Sequence, residues 1–364
     1  MLILPGLIDA HVHLRVPGGE HKEDFITGSS AALAGGFTTL LAMPNTNPPL
    51  VTLENWQNAQ KQADSQALCD VYHFAGGSEA HLDQIPKLAQ QAVGLKLYLD
   101  QTFGPLRLQD HAAIEKCFEL WPADKPICLH AELDSVQMGI ALAKRYQKHI
   151  HICHIARKEE VERVAAAQDE GIHVTAEVTA HHLFFTEADA KRLGAYGDMR
   201  PMLQTQADQD ALWDHLGTSI AVIASDHAPH AKFEKEGFES QQAFLTAQEA
   251  LKAEEKRPIP PGIPGLESTL PLMLTAVSEG RLSMETLIKL LYDNPKRIFN
   301  LPEQADTWVE VDENAKYIFP DHPLYTKCGW SPFQAMRMTG KIHRVVLRGK
   351  EVYKEGIVAF EQQA

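Results

Sequence analysis

Short apolar runs alternate with longer amphipathic stretches from Leu2 to near Leu291, and this alternation constrains the fold more than any other feature. Strands are expected over residues 4–13, 38–43, 69–75, 94–99, 126–130, 149–154, 172–179 and 220–226. Helices are expected between them, over 23–33, 53–67, 82–92 and 158–170. In the last, Val161, Val164 and Ala165 fall at helical spacing opposite a charged face. Strands separated by helices imply βα units and a parallel sheet. Eight such strands favour a closed (β/α)₈ TIM-like barrel over an open doubly wound sheet.

The texture changes after Leu301. Residues 307–311, 342–348 and 351–353 read as short strands joined by turns, so a small β appendage formed mainly by the C-terminal segment is expected. The expected division is a barrel over residues 1–300 and an appendage over 301–364. Residues 231–265 form a long connection that starts charged and ends in Pro258-Ile259-Pro260-Pro261-Gly262. Such connections serve as lids, interfaces or mobile segments.

Composition excludes some partners. The net charge is −14, from 34 basic and 48 acidic residues, which disfavours a nucleic-acid or anionic-membrane surface. A few arginines in a pocket can still select an anionic substrate. The five cysteines are scattered, odd in number and without a CxxC pair, which makes a reducing cytoplasm the expected compartment. No apolar run reaches the roughly 20 residues of a membrane span, and no basic region precedes the first apolar residues as in a signal peptide. The 18 histidines are unusual, and several stand in short motifs.

The first motif is Asp9-Ala10-His11-Val12-His13. Residues two apart on a strand share a face, so His11 and His13 can converge on one metal ion. Alone, the pair could equally be two ordinary histidines at a strand end. Partners decide: His130, His154 and Asp226 each close another expected strand, and strand C-termini form the mouth of a (β/α)₈ barrel. Imidazoles with a carboxylate suit zinc and leave room for a bridging hydroxide. Lys96 interrupts the apolar strand Gly94-Leu95-Lys96-Leu97-Tyr98; it is either an edge residue snorkelling to water or a buried amine. Desolvation favours the neutral form of a buried amine, which can capture carbon dioxide as a carbamate that bridges two metals. Arg15 shares a face with His13 if its strand continues, Asn45 follows a strand end, and Arg200 precedes Pro201. Two arginines beside a metal suit a substrate carboxylate, although each could be a surface or loop residue. His230 is a further donor or a loop cap.

These residues stand in recognisable motifs. Pro5-Gly6-Leu7-Ile8-Asp9-Ala10-His11-Val12-His13-Leu14-Arg15 resembles the opening of the cyclic amidohydrolases. Met43-Pro44-Asn45-Thr46, the strand around Lys96, and Ala224-Ser225-Asp226-His227-Ala228-Pro229-His230 resemble dihydroorotase motifs. The likeness extends through His151-Ile152-Cys153-His154-Ile155-Ala156-Arg157-Lys158-Glu159-Glu160 to Arg344-Val345-Val346-Leu347-Arg348-Gly349. It covers nearly the whole chain and is strongest to the dihydroorotase domains of animal multifunctional pyrimidine-synthesis proteins.

The resemblance implies two zinc ions. His11, His13, carboxylated Lys96 and Asp226 would hold one, and carboxylated Lys96, His130 and His154 the other. It implies Asp226 as the general base and then acid, with Arg15, Asn45, Arg200, His230 and the backbone at Pro261 binding substrate. Thr102 and Phe103 correspond to the tip of the family's closing loop. Cys153 and Glu177 match an accessory metal position, although Cys153 is equally suited to the core. Val16 departs from the family's usual glutamate, and residues 231–260 exceed the animal domain in length, which puts loop closure and the Pro261 contact in question. The implied reaction is reversible cyclisation of N-carbamoyl-L-aspartate to dihydroorotate in pyrimidine biosynthesis. A homodimer and an association with aspartate carbamoyltransferase are expected. The rival readings are hydantoinase or allantoinase activity on the same scaffold, and a non-catalytic scaffold that binds a pathway partner.

Overall fold

A strand buried on both faces reads as a continuous apolar run, and such runs build parallel sheets. In the computed structural model they do so here; it describes residues 1–102, 104–238, 240–242 and 259–359. The barrel strands are β2 (Leu7–Val12), β3 (Phe37–Ala42), β4 (Asp70–His73), β5 (Ala75–Gly76), β6 (Leu95–Tyr98), β7 (Ile127–His130), β8 (Ile150–Ile152), β9 (Val174–Thr179) and β10 (Val222–Ala224). They pair in parallel as β2-β3-β4 and β5-β6-β7-β8-β9-β10. Segments β4 and β5 occupy one staff of the barrel, interrupted at Phe74, whose amide donates to Ala42. The ring closes between the outer strands. Val12 bridges His227 in parallel, the His13 amide donates to the His227 carbonyl at 2.7 Å, and the Ser225 amide donates to Asp9.

Helices follow the strands with conventional starts. Asp24 caps Phe25–Ala34 by accepting from the Thr27 amide, and Thr52 caps Leu53–Gln66 by accepting from Asn55. The expected helix over 82–92 is instead a 3₁₀ turn, Glu79–Gln84, followed by the single turn Ile85–Leu88. Pro86 stands at the joint and has no N–H to give to the preceding turn.

The expected strand over 4–13 is two strands in two sheets. Leu2–Pro5 (β1) pairs antiparallel with β11 (Trp308–Ile318), which continues to β12 (Arg337–Leu347), β13 (Lys350–Lys354) and β14 (Ile357–Val358). Gly6 makes the passage between sheets: a Cβ there would stand 2.4 Å from Thr38 Oγ1 and 2.5 Å from Thr307 Cγ2. The appendage is therefore C-terminal apart from this edge strand. It shares a core with the barrel through Leu4, Leu7, Val309, Val311, Ile342 and Val345. Inside the barrel, Ile8, Ala10, Leu41, Phe74, Cys128, Val222 and Phe299 form a separate apolar layer below the mouth.

Candidate metal centre and substrate pocket

Strict alternation along β2 would put Ile8 and Ala10 opposite His11 and His13. The β2–β3 register shifts between Asp9 and Val12, and both sets reach the barrel interior. His11 Nε2 and His13 Nε2 lie 3.3 and 3.2 Å from Asp226 Oδ1. These three ligand atoms lie within 4.8 Å of one another and are buried. His130 Nδ1 is 2.8 Å from His154 Nε2, and the His154 ring centroid is 5.2 Å from that of His11. Lys96 is fully buried, its Nζ donating to Cys153 Sγ at 2.8 Å. A second trio, His11, Cys153 and Glu177, gathers on the other side of the His11 ring, with His11 Nδ1 2.5 Å from Glu177 Oε1.

The electrostatics favour a cation. Burial would raise the Asp226 and Glu177 carboxyls, but His11 and its histidine neighbours hold both well below the usual carboxylate range. Burial and Lys96 oppose a charge on His11, yet Asp226 and Glu177 outweigh them and raise it to about 10. Burial, then Lys96, holds His130 down to about 3, and burial with His130 holds His154 well below its usual value. Two ionised carboxylates, together with the imidazoles of His13, His130 and His154 that burial keeps neutral, are a ligand set for a divalent metal. His130 Nε2, His154 Nδ1 and Asp226 Oδ1 are buried without a hydrogen-bond partner among the described residues, so the residues fit such an ion.

The strand ends are bent to aim these groups. His154 and Asp226 adopt φ of +37° and +42°, and Arg15 adopts +65°. Each is a left-handed conformation that costs a non-glycine residue on the order of 1–3 kcal/mol. The expectation that Arg15 shares the His13 face is corrected here: β2 ends at Val12, and Arg15 reaches the pocket by this turn of the backbone.

The other expected residues are distributed around the mouth. Asn45 Oδ1 lies 2.8 Å from His13 Nδ1. Arg15 Nε donates to the Pro229 carbonyl, and one of its terminal nitrogens is 3.1 Å from His230 Nε2. His230 is buried and is no loop cap: Lys22 Nζ lies 3.2 Å from its Nδ1, and its Nε2 lies 3.1 Å from the Pro261 carbonyl as well as from Arg15. Gly262 permits that approach, since a Cβ there would meet the Ala228 carbonyl at 2.6 Å. Arg200 is half-buried and pairs with Asp198 and the Met199 carbonyl, away from the metal-site cluster. Thr102 is half-buried beside Gly104, which in turn lies against Asn45. Phe103, and residues 239 and 243–258 of the long 231–265 connection, lie outside the described residues.

Sequence reasoning passed over several groups that the fold brings in. Lys22 bonds His230, and Glu23 bonds His227 at 3.1 Å. His181 is buried in the field of Asp226 with an unpartnered Nε2. Lys235 is fully buried and donates to the carbonyls of Asp198, Pro260 and Gly262. His181 and His182 directly follow β9, the strand-end position that singled out His130 and His154. Lys22 and Lys235 carried no comparable signal.

Comparison with known proteins agrees with this geometry. The amidohydrolase family model matches residues 2–304. The chain is 45% identical over 98% of its length to the multifunctional protein CAD of Squalus acanthias, and 42% identical over 97% to the multifunctional protein pyr1-3 of Dictyostelium discoideum. It spans 15% of the length of each of these two relatives. It is 33% identical to a dihydroorotase of Staphylococcus epidermidis, covering 97% of this chain and 88% of that one. Among solved structures, the L-hydantoinase of Arthrobacter aurescens superposes with a TM-score of 0.89 at 26% identity, covering 99% of this chain and 87% of that one. An inactive dihydroorotase-like domain of a Chaetomium thermophilum multifunctional protein has a TM-score of 0.79 at 24% identity, a likeness of fold, with 100% and 98% covered. The chain belongs to the amidohydrolase family, as a relative of the dihydroorotases.

Proposed function

We propose that the chain is a zinc-dependent dihydroorotase that interconverts N-carbamoyl-L-aspartate and dihydroorotate in pyrimidine biosynthesis. The observation that carries this reading is one site: the His11–His13–Asp226 cluster, with Asn45 on His13, lies in the electrostatic field of Arg15, which in turn contacts His230. A hydrolytic centre alone fits many cyclic amides. Donors beside it select a ring that carries a carboxylate.

His11, His13, Lys96 and Asp226 would hold one zinc, and Lys96, His130 and His154 the other, with Lys96 carboxylated. Bound there, zinc lowers the pKa of a coordinated water and polarises an amide carbonyl. Asp226, kept ionised by His11 and His13, takes a proton from the attacking water and returns it to the departing ring nitrogen. Arg15, Asn45, Arg200, His230 and the backbone at Pro261 orient the substrate, and the loop carrying Thr102 and Phe103 covers it. Cys153 and Glu177 are the candidate ligands of an accessory third metal, which would take the place of the hydrogen bond between Glu177 and His11. A homodimer and docking to aspartate carbamoyltransferase belong to the same proposal.

The test is metal analysis of the purified chain combined with spectrophotometric turnover of dihydroorotate. Near-stoichiometric zinc with turnover supports the reading. Efficient hydantoin hydrolysis without dihydroorotate turnover replaces it with the hydantoinase reading, which the 26% identity to L-hydantoinase favours. Bound zinc with neither activity would leave a silent scaffold.

A further inference from the structure

Below the metal centre, the interior of β8 and β9 is polar where a barrel normally packs branched apolar side chains. His149, His151 and Cys153 alternate along one strand, and Thr175 and Glu177 along the next. Their side chains form an unbroken hydrogen-bonded column. His149 Nε2 lies 2.9 Å from Thr175 Oγ1, which lies 2.8 Å from His151 Nδ1. His151 Nε2 lies 3.1 Å from Glu177 Oε2, and Glu177 Oε1 lies 2.5 Å from His11 Nδ1. The lower end is closed by His173, whose ring stacks on His149 at 3.8 Å.

Donor and acceptor chemistry gives this column one direction. A carboxylate only accepts, so both His151 Nε2 and His11 Nδ1 carry protons toward Glu177. His151, with its proton on Nε2, presents Nδ1 as an acceptor, and the Thr175 hydroxyl donates to it. The hydroxyl's other acceptor, the Ile150 carbonyl, is farther away at 3.4 Å. The Thr175 oxygen then accepts from His149 Nε2. At the upper end, with Nδ1 held on Glu177, His11 Nε2 faces Asp226 and is the nitrogen a metal would take in place of a second proton.

We infer that His151 and Thr175 are positioning residues, which fix Glu177 and through it hold the His11 imidazole in the tautomer and orientation that the metal site requires. The inference rests on the metal-site reading above. Burying two imidazoles, a hydroxyl and a carboxylate is costly unless each is bonded, and here each is. His151 also packs edge-on against Phe299 at 5.5 Å, which leaves its ring little freedom to turn. Carboxylates behind ligating histidines set tautomer and basicity, and their loss typically weakens metal affinity roughly 10- to 100-fold. Glu177 occupies that position, and Thr175 with His151 keeps it there.

The experiment follows zinc release from the loaded full-length chain into a chromophoric chelator, alongside the visible spectrum of the cobalt-substituted protein. Thr175→Val keeps the shape of the side chain and removes the hydroxyl. It should release zinc roughly tenfold faster and alter the cobalt bands, while Thr175→Ser restores both. His151→Phe should release faster still. A Thr175→Val chain that unfolds at the wild-type midpoint and releases zinc at the wild-type rate overturns the inference. So does a Thr175→Ser chain that behaves like Thr175→Val, because the effect would then belong to packing. A wild-type chain that takes up no zinc removes the metal-site reading itself, and this inference with it.

Discussion

Asp226 stands at φ +42° with its carboxylate between two histidines, so backbone and chemistry must be separated in any substitution. Asparagine tolerates that left-handed conformation better than most residues, whereas a β-branched replacement adds strain. Asp226→Asn should therefore fold at the wild-type midpoint and lower kcat for dihydroorotate roughly 10²- to 10⁴-fold, the range for a lost proton carrier; a kcat within threefold would remove Asp226 from the chemistry. Arg15 asks a different question. Arg15→Lys keeps the charge and loses the fork, so KM should rise about tenfold or more with a smaller effect on kcat, as steady-state kinetics can read. The two residues also differ in how legible they were. His11, His13, His130, His154 and Asp226 could be read because strand ends recur in sequence and alternation assigns faces. Arg15 is in the pocket for another reason than alternation, since no periodicity signals a residue that turns to positive φ after the strand has stopped. His151 and Thr175 obey the alternation fully, but nothing in one sequence distinguishes an inward polar residue that supports a ligand from one that is merely satisfied.

At the level of elements, strand positions were legible and strand limits were not. The stretch over 4–13 reads as one strand, and the crowding of Thr38 and Thr307 around Gly6 marks where it divides between two sheets. Contacts between distant loops are equally silent in sequence. Lys235, at the end of the turn Lys232–Lys235, ties together the Asp198 loop, which holds Arg200, and the Pro260–Gly262 turn beside His230. Its ammonium also lies 5.7 Å from the Trp330 ring, whose N–H donates to the His230 carbonyl. Lys235→Met preserves much of the buried volume but leaves three carbonyls without this donor. An unsatisfied buried polar group costs about 1–3 kcal/mol, so urea denaturation should show a loss of at least that size. KM should rise with it, because the two loops proposed to contact substrate lose their common anchor. A variant with unchanged midpoint and unchanged KM would show that the loops are held by other contacts.

The whole molecule depends on how the appendage sits on the barrel, and buried carboxylates make that junction sensitive to pH. Glu267, in the barrel helix Leu266–Ser278, accepts the amides of Tyr325 and Thr326 from the segment between β11 and β12. Glu23, next to the first barrel helix, accepts the Thr326 hydroxyl and the Lys327 amide and also bonds His227, the neighbour of Asp226. One end of this junction therefore supports the loop that carries Asp226. Burial pushes the Glu267 carboxyl up to about 8, with the two amides pulling back and the Glu23 carboxylate pushing further. A raised carboxyl binds its proton more tightly in the folded chain than in the unfolded one. Its contribution to stability is complete below the ordinary value of 4.5 and is lost as pH rises through about 8. The difference in unfolding free energy between wild type and Glu267→Gln should accordingly shift by roughly 2–3 kcal/mol between pH 6 and pH 8 in favour of the wild type at the lower pH. Taking the difference between variants removes the histidines, which titrate in both and act with the opposite sign where burial has lowered them. Urea midpoints across that range supply the measurement. A difference that stays flat with pH would mean that Glu267 is already ionised at pH 6, and that the amides of Tyr325 and Thr326 outweigh its burial.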